Sequence, residues 1–116
     1  MFIQTEKLPD ECEMRFLPGR EVFPLGPIPL DHESDLKKFP LASRLLAIDH
    51  VIGIILETDS LIIKKSNDID WMQLKPAVLG AVMDHFVADL PVSVDDAKIV
   101  DNKVPDESEF LFLNDS

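Results

Sequence analysis

A chain of 116 residues with 46% hydrophobic side chains is long enough for one small folded domain with its own core. Its net charge of -11 repels polyphosphate and anionic lipid, so we expect neither nucleic acid nor a membrane as a partner. A single cysteine excludes an internal disulfide framework, and no apolar run approaches the ~20 residues that cross a bilayer. These features predict a bacterial cytoplasmic protein, or a mitochondrial matrix protein if the source is eukaryotic.

The chain opens with a predicted β-hairpin. Its first strand lies in MFIQTE, and its second strand, Met14–Leu17, ends at the turn Pro18-Gly19. The polar segment Lys7–Asp10 contains a proline and joins the two strands. In residues 20–31 three prolines exclude a helix and allow at most a short edge strand near Glu21–Phe23.

A short helix and a second hairpin follow. Apolar residues at helical spacing predict an amphipathic helix of about Pro40–Ile48, with the proline at its first position. Val51–Glu57 and Leu61–Lys65 flank a turn-prone segment and predict two paired strands. The first of them is apolar on both faces, so we expect it to be central and covered on both sides. The terminal pair Lys64 and Lys65 predicts that the second strand emerges into solvent.

A long helix is predicted from Asp70 to near Leu90. Asp70 is a candidate N-cap, and an apolar stripe should cover the sheet, formed by Trp71, Leu74, Val78, Val82 and Phe86. Pro76 lies inside this pattern and predicts a bend. Gly80 lowers helix propensity, which close backbone packing would justify. The complete pattern is a ββαββα order, an α+β fold with two hairpins in one sheet, a short helix and one long helix packed on it.

The composition divides the chain into two parts. Residues 1–92 carry the periodic patterns and are predicted to be the folded domain. Residues 93–116 are acidic, contain a proline and have no lasting period, which is typical of a linker.

No motif in the chain indicates catalysis. Only four glycines are present and none forms a phosphate-binding loop, and His32, His50 and His85 lie on a predicted loop, turn and helix. Each is expected to be a surface or partly buried imidazole. A weak metal site of Asp84, His85 and Asp89 on one helix face is a minor alternative, with a metal-dependent enzyme as its consequence. We expect no catalytic, cofactor-binding or metal-binding residue in this chain.

Cys12 is the only thiol and lies in the loop before the second strand. An iron–sulfur cluster is normally held by several cysteine thiolates, so one chain with one cysteine cannot hold a cluster by itself. Ligation across a dimer through Cys12 is the remaining alternative.

Several blocks of the sequence resemble the N-terminal domain of Nfu-type, NifU-like iron–sulfur scaffold proteins. The similar segments are MFIQTE, FLPG at 16–19, the phrase from Leu41 to Ile48, Val51-Ile52-Gly53, and WMQLKPAVLGAVMDHF at 71–86. Family members tend to have a TPNPN-like loop after the first strand, whereas this chain has Lys7–Glu11 and shares only Pro9.

The resemblance implies a maturation factor that carries an iron–sulfur cluster to apo-proteins. The cluster would be held by a C-x-x-C motif in a separate C-terminal domain, which 93–116 would connect to residues 1–92. The implied partners are that domain and the iron–sulfur clients or assembly proteins, with the cluster expected in the full-length protein and no cofactor in this chain. A stand-alone adaptor domain without cluster chemistry is the alternative.

Overall fold

The computed structural model describes residues 1–94, which form one antiparallel sheet with helices packed against one of its faces. The strands are β1 (Gln4–Lys7), β2 (Glu13–Leu17), β3 (Ile28–Leu30), β4 (Val51–Leu56) and β5 (Leu61–Lys65), in the order β1-β2-β5-β4-β3. The helices are a 3-10 turn at Leu36–Lys38, α1 (Pro40–Leu46) and α2 (Trp71–Val87). The predicted α+β fold is confirmed, and β3 is added to its element order. Within residues 1–94 neither α1 nor α2 is long and apolar enough to cross a membrane.

The edge strand lies further along the chain than predicted. Near Glu21–Phe23 there is no strand, although Val22 and Phe23 donate backbone hydrogen bonds to Thr58 and Glu57. The chain turns after Phe23 and pairs as β3 with Leu56 back to Ile54. Pro29 has no N–H to donate, which an edge strand tolerates because one side of it has no neighbour.

The central strand is β5, and the prediction that Val51–Glu57 would be central and covered on both sides is wrong. β4 has β5 on one side and only the short β3 on the other. Helices cover one sheet face, so Ile52 on the bulged start of β4 remains 42% exposed. At the end of β5, Lys64 is exposed as predicted but Lys65 is only 8% exposed, and its ammonium lies 5.9 Å from the ring centre of Trp71.

The helices close the core over the sheet. On α2 the stripe Leu74, Val78, Val82 and Phe86 is buried as predicted, with Trp71 half-buried at its start. Facing it are Phe16, Leu61, Ile63 and Ile54, and α1 adds Leu41 and Leu45. Burying side chains of this size stabilises the fold by about 1.5–3 kcal/mol each.

The C-terminal end of α2 is a Schellman motif. The helix ends at Val87, three residues before the predicted end, because Asp89 adopts a left-handed φ of 57°. The Leu90 N–H then bonds to the His85 carbonyl and the Asp89 N–H to the Phe86 carbonyl. Beyond it, the Val94 N–H donates to the Lys38 carbonyl at 2.9 Å, so the folded contacts continue two residues past the predicted boundary at 92.

Candidate functional site

Three connections meet at one end of the sheet: the turn between β1 and β2, the turn before β4, and the loop from Ser66 to Asp70. The Lys65 N–H donates to the carbonyl of Cys12 at 2.8 Å, and the Ser66 N–H donates to the carbonyl of His50 at 2.9 Å. These backbone hydrogen bonds bring Cys12 and His50, which are far apart in the sequence, next to the loop from Ser66 to Asp70.

Cys12 lies in a turn, as predicted, and its thiol is half-buried. The Sγ donates to the side-chain oxygen of Asn67 at 3.0 Å, and the Cys12 N–H donates to the carboxylate of Asp10 at 2.9 Å. Residues 1–94 contain no group of three or more histidine, cysteine or acidic side chains that could hold a metal ion. The hydrogen bond between Cys12 and Asn67 connects the turn between β1 and β2 to the loop from Ser66 to Asp70.

His50, Ser66 and Asp68 form a polar cluster on that loop. His50 Nδ1 is 3.2 Å from the Ser66 hydroxyl and 3.3 Å from an Asp68 oxygen, and Ser66 donates to Asp68 at 2.5 Å. The Ser66 hydrogen bond, aided by a backbone bond and by His50, holds the pKa of Asp68 below its usual value. In a catalytic triad the two imidazole nitrogens link serine and carboxylate separately, whereas here one nitrogen faces both. The cluster therefore cannot relay a proton as a triad does.

His85 is buried, not partly exposed as the sequence predicted. It is 1% exposed, its Nε2 donates to the Pro91 carbonyl at 2.7 Å, and its Nδ1 has no partner among residues 1–94. Asp84 is exposed on α2, and Asp89 lies beyond the helix end. The minor alternative of a metal site on one helix face is therefore wrong: Asp84, His85 and Asp89 form no such group in the described residues. The missed signal was spacing, because His85 lies three residues after Val82 and seven after Val78 and shares their core side.

His32 and His50 lie on a loop and a turn, as the sequence predicts. His32 Nε2 donates to the Val51 carbonyl at 3.0 Å, which ties the loop after β3 to the start of β4. The start of β4 lies at the same end of the sheet as the Cys12 turn, where Val51 pairs with Lys65, and the contact of His32 there is to the backbone.

Beside the cysteine turn is a surface groove of about 470 Å³, here called the Trp71 groove. Its walls come from Lys7 and Leu8 at the end of β1, Glu11 in the turn, Lys65 on β5, and Asp70 and Trp71 at the start of α2.

Trp71 is held in place by three contacts. Its Nε1 donates to the Glu11 carbonyl at 2.9 Å, its ring lies 6.2 Å from that of Phe16, and the Lys65 ammonium is 5.9 Å from the ring centre. Asp70 precedes α2 with extended backbone, but its carboxylate makes no capping hydrogen bond, contrary to prediction. Asp70 instead lines the groove. A fixed aromatic wall beside unpaired carboxylates is suited to protein recognition.

Comparison with known proteins places the chain in a family. The family model described as "Scaffold protein Nfu/NifU N terminal" matches residues 3–89. The chain is 33% identical over 95 residues to the mitochondrial NifU-like protein 5 of Arabidopsis thaliana, covering 82% of this chain and 34% of that protein. It is 31% identical over 110 residues to the mitochondrial NFU1 iron-sulfur cluster scaffold homolog of Drosophila simulans, covering 94% and 39%.

The fold is also shared with solved structures. A NifU-like protein from Saccharomyces cerevisiae superposes with a TM-score of 0.71 at 18% identity, covering 81% of this chain and 85% of that one. A Staphylococcus aureus protein gives 0.62 at 18% identity, covering 71% and 99%. The chain spans only 34–39% of the length of the curated relatives above. With the family model covering most of its length, the chain belongs to the Nfu/NifU N-terminal domain family of scaffold proteins.

Proposed function

We propose that this domain is the non-catalytic recognition part of an iron–sulfur scaffold or carrier protein. It would contact client or assembly proteins while the cluster, which is the cargo, is held elsewhere. The cysteine count carries this proposal, because 116 residues contain one cysteine and a cluster normally needs several thiolates. The thiol that is present donates to Asn67 and belongs to no group of three or more candidate metal ligands within residues 1–94.

The length of the relatives supports a proposed division of labour between two domains. Residues 1–92 would form the recognition domain, and 93–116 would be an acidic linker toward a C-terminal domain with a C-x-x-C motif. The NifU-like relative from Arabidopsis thaliana and the iron-sulfur cluster scaffold homolog from Drosophila simulans are about two and a half to three times as long as the matched region, which leaves room for such a domain.

The proposed location is the mitochondrial matrix for a eukaryotic source and the cytoplasm for a bacterial one. Support for the first comes from relatives that are named mitochondrial. Both compartments keep thiols reduced, which is compatible with the free Cys12.

Anaerobic reconstitution with ferrous iron and sulfide tests the proposal. The chain is expected to remain colourless and to keep no stoichiometric iron after desalting, while a family C-x-x-C domain treated in parallel turns brown. Cys12→Ser should behave like the unchanged chain. A stable brown species that depends on Cys12 would overturn the assignment of the cluster to another domain.

A further inference from the structure

The charged side chains of the Trp71 groove are left unpaired by the fold. Within residues 1–94 the carboxylates of Glu11 and Asp70, two residues that line the groove, make no side-chain hydrogen bond or ion pair. Lys65 is fixed, because its ammonium bonds to the Ser66 carbonyl at 3.3 Å and lies near the Trp71 ring. Two unpaired carboxylates, Glu11 and Asp70, therefore lie beside the Trp71 indole, while the Lys65 ammonium is already engaged and Lys7 is exposed.

The other charges of the sheet do not offer such a site. On the uncovered face Arg15 bonds to Glu6 and to Glu57 at 3.0 Å each, so these two carboxylates are already paired with a cation. The net charge of -11 adds a field that draws cationic partners to the protein. The two unpaired carboxylates of the Trp71 groove and the net negative charge together favour a cationic ligand at this position.

The apolar part of the groove lies beside those carboxylates. Leu8 and the half-buried Trp71 form its walls with Met14 beneath them, and the hydrogen bond to Glu11 fixes the indole. A pre-ordered aromatic wall binds without losing side-chain entropy. Its volume of about 470 Å³ is within the range of small ligand sites and accommodates two or so side chains, not a folded domain.

We propose that the Trp71 groove binds an arginine that lies next to an apolar residue in an extended segment of a partner protein. This inference rests on the proposed role in protein contacts. A guanidinium is favoured over an ammonium, because its planar fork can bridge the carboxylates of Asp70 and Glu11 while its face stacks on the indole.

Titration with short peptides, followed by amide and indole NMR signals, tests the proposal with the whole chain. The probe is a blocked peptide with arginine between two leucines, and its control has glutamine at the centre. The arginine peptide is expected to shift the signals of Glu11, Lys65 and the Trp71 indole. The glutamine peptide should bind about fivefold more weakly, the effect of losing a partly exposed charge pair.

Matched variants separate the groove from the general charge. The pair Glu11→Gln and Asp70→Asn should remove the preference for arginine, and neither carboxylate makes a structural contact whose loss would unfold the domain. The pair Glu33→Gln and Asp84→Asn removes the same charge from exposed positions outside the groove and should retain the preference.

Three results would overturn the groove proposal. Both variant pairs could weaken binding of the arginine peptide equally, the shifted NMR signals could belong to residues outside the groove, or the two peptides could bind equally well. None of these results bears on whether the chain binds an iron–sulfur cluster, so the reconstitution experiment tests the proposed function independently.

Discussion

Replacing His85 by alanine removes the most deeply buried polar side chain of residues 1–94. The imidazole is 1% exposed and connects the end of α2 to the segment after it through the 2.7 Å bond to the Pro91 carbonyl. That segment also carries the Val94 bond to Lys38. His85 therefore anchors the segment 91–94, which makes the last described contacts of the domain.

The expected loss in the free energy of unfolding is about 2–4 kcal/mol. A net hydrogen bond contributes about 1 kcal/mol, and truncating a large buried side chain leaves a cavity that costs more. His85→Gln keeps a donor near the position of Nε2 and most of the volume, so its loss should be about 1 kcal/mol. Asp84→Asn, next to it on the exposed side, should change stability by less than about 0.5 kcal/mol.

Urea unfolding followed by the fluorescence of Trp71, the only tryptophan, measures these differences. With a slope of about 1–3 kcal/mol per molar urea, the alanine variant should unfold at a midpoint lower by about 1–2 M. Hydrogen exchange of the Val94 amide should also become faster. An alanine variant as stable as the unchanged chain, or stoichiometric zinc binding lost with His85, would refute the structural role.

Three further predictions concern single residues. A Cβ on Gly80 would meet no atom within 4 Å, so Gly80→Ala should raise the free energy of unfolding by about 0.5–1 kcal/mol in urea titrations. A Cβ on Gly26 would lie 2.5 Å from the Leu56 carbonyl oxygen, so Gly26→Ala should lower it by about 1–3 kcal/mol, and an unchanged midpoint would contradict that contact. Partial burial raises the pKa of Glu57, but hydrogen bonds from Ser60 and Arg15 outweigh it and hold that pKa below its usual value. The carboxylate therefore stabilises the fold above the ordinary glutamate pKa and loses this effect as the pH falls through the lowered one. Glu57→Gln should reduce the loss of stability between about pH 7 and pH 3 by up to about 1 kcal/mol, and an identical pH profile would count against the pairing.

Local patterns in the sequence were sufficient for the helices and hairpins. The start of α2 at Trp71 and its buried stripe follow from three- and four-residue spacing, and the β4–β5 hairpin follows from its turn residues. Close backbone packing would have justified Gly80 in the helix, but the structure shows no neighbouring atom within 4 Å outside its own helix.

Strand order could not be predicted in the same way. β5 became central because β2 pairs with it at sequence separations of 45 to 51 residues, and nothing local in β2 indicates that partner. β3 was missed because Pro29 reads as a break, although an edge strand tolerates it.

The candidate site could not be predicted from local patterns either, because it is formed by residues that are far apart in the sequence. Cys12 meets Asn67, and Glu11 meets Trp71, over separations of 55 and 60 residues. The composition revealed that one thiol is too few for a cluster, but only the fold brought Asp70 and Trp71 beside the cysteine turn.

The rate of cluster transfer tests the central proposal most directly. A cluster-loaded Nfu-type C-x-x-C domain can be compared with and without this chain fused before it, using an iron–sulfur apo-protein as acceptor. Faster transfer with the fusion, at an unchanged cluster content per chain, is the predicted result. Equal rates, or additional cluster bound by the fused chain, would contradict a domain that acts through protein contacts alone.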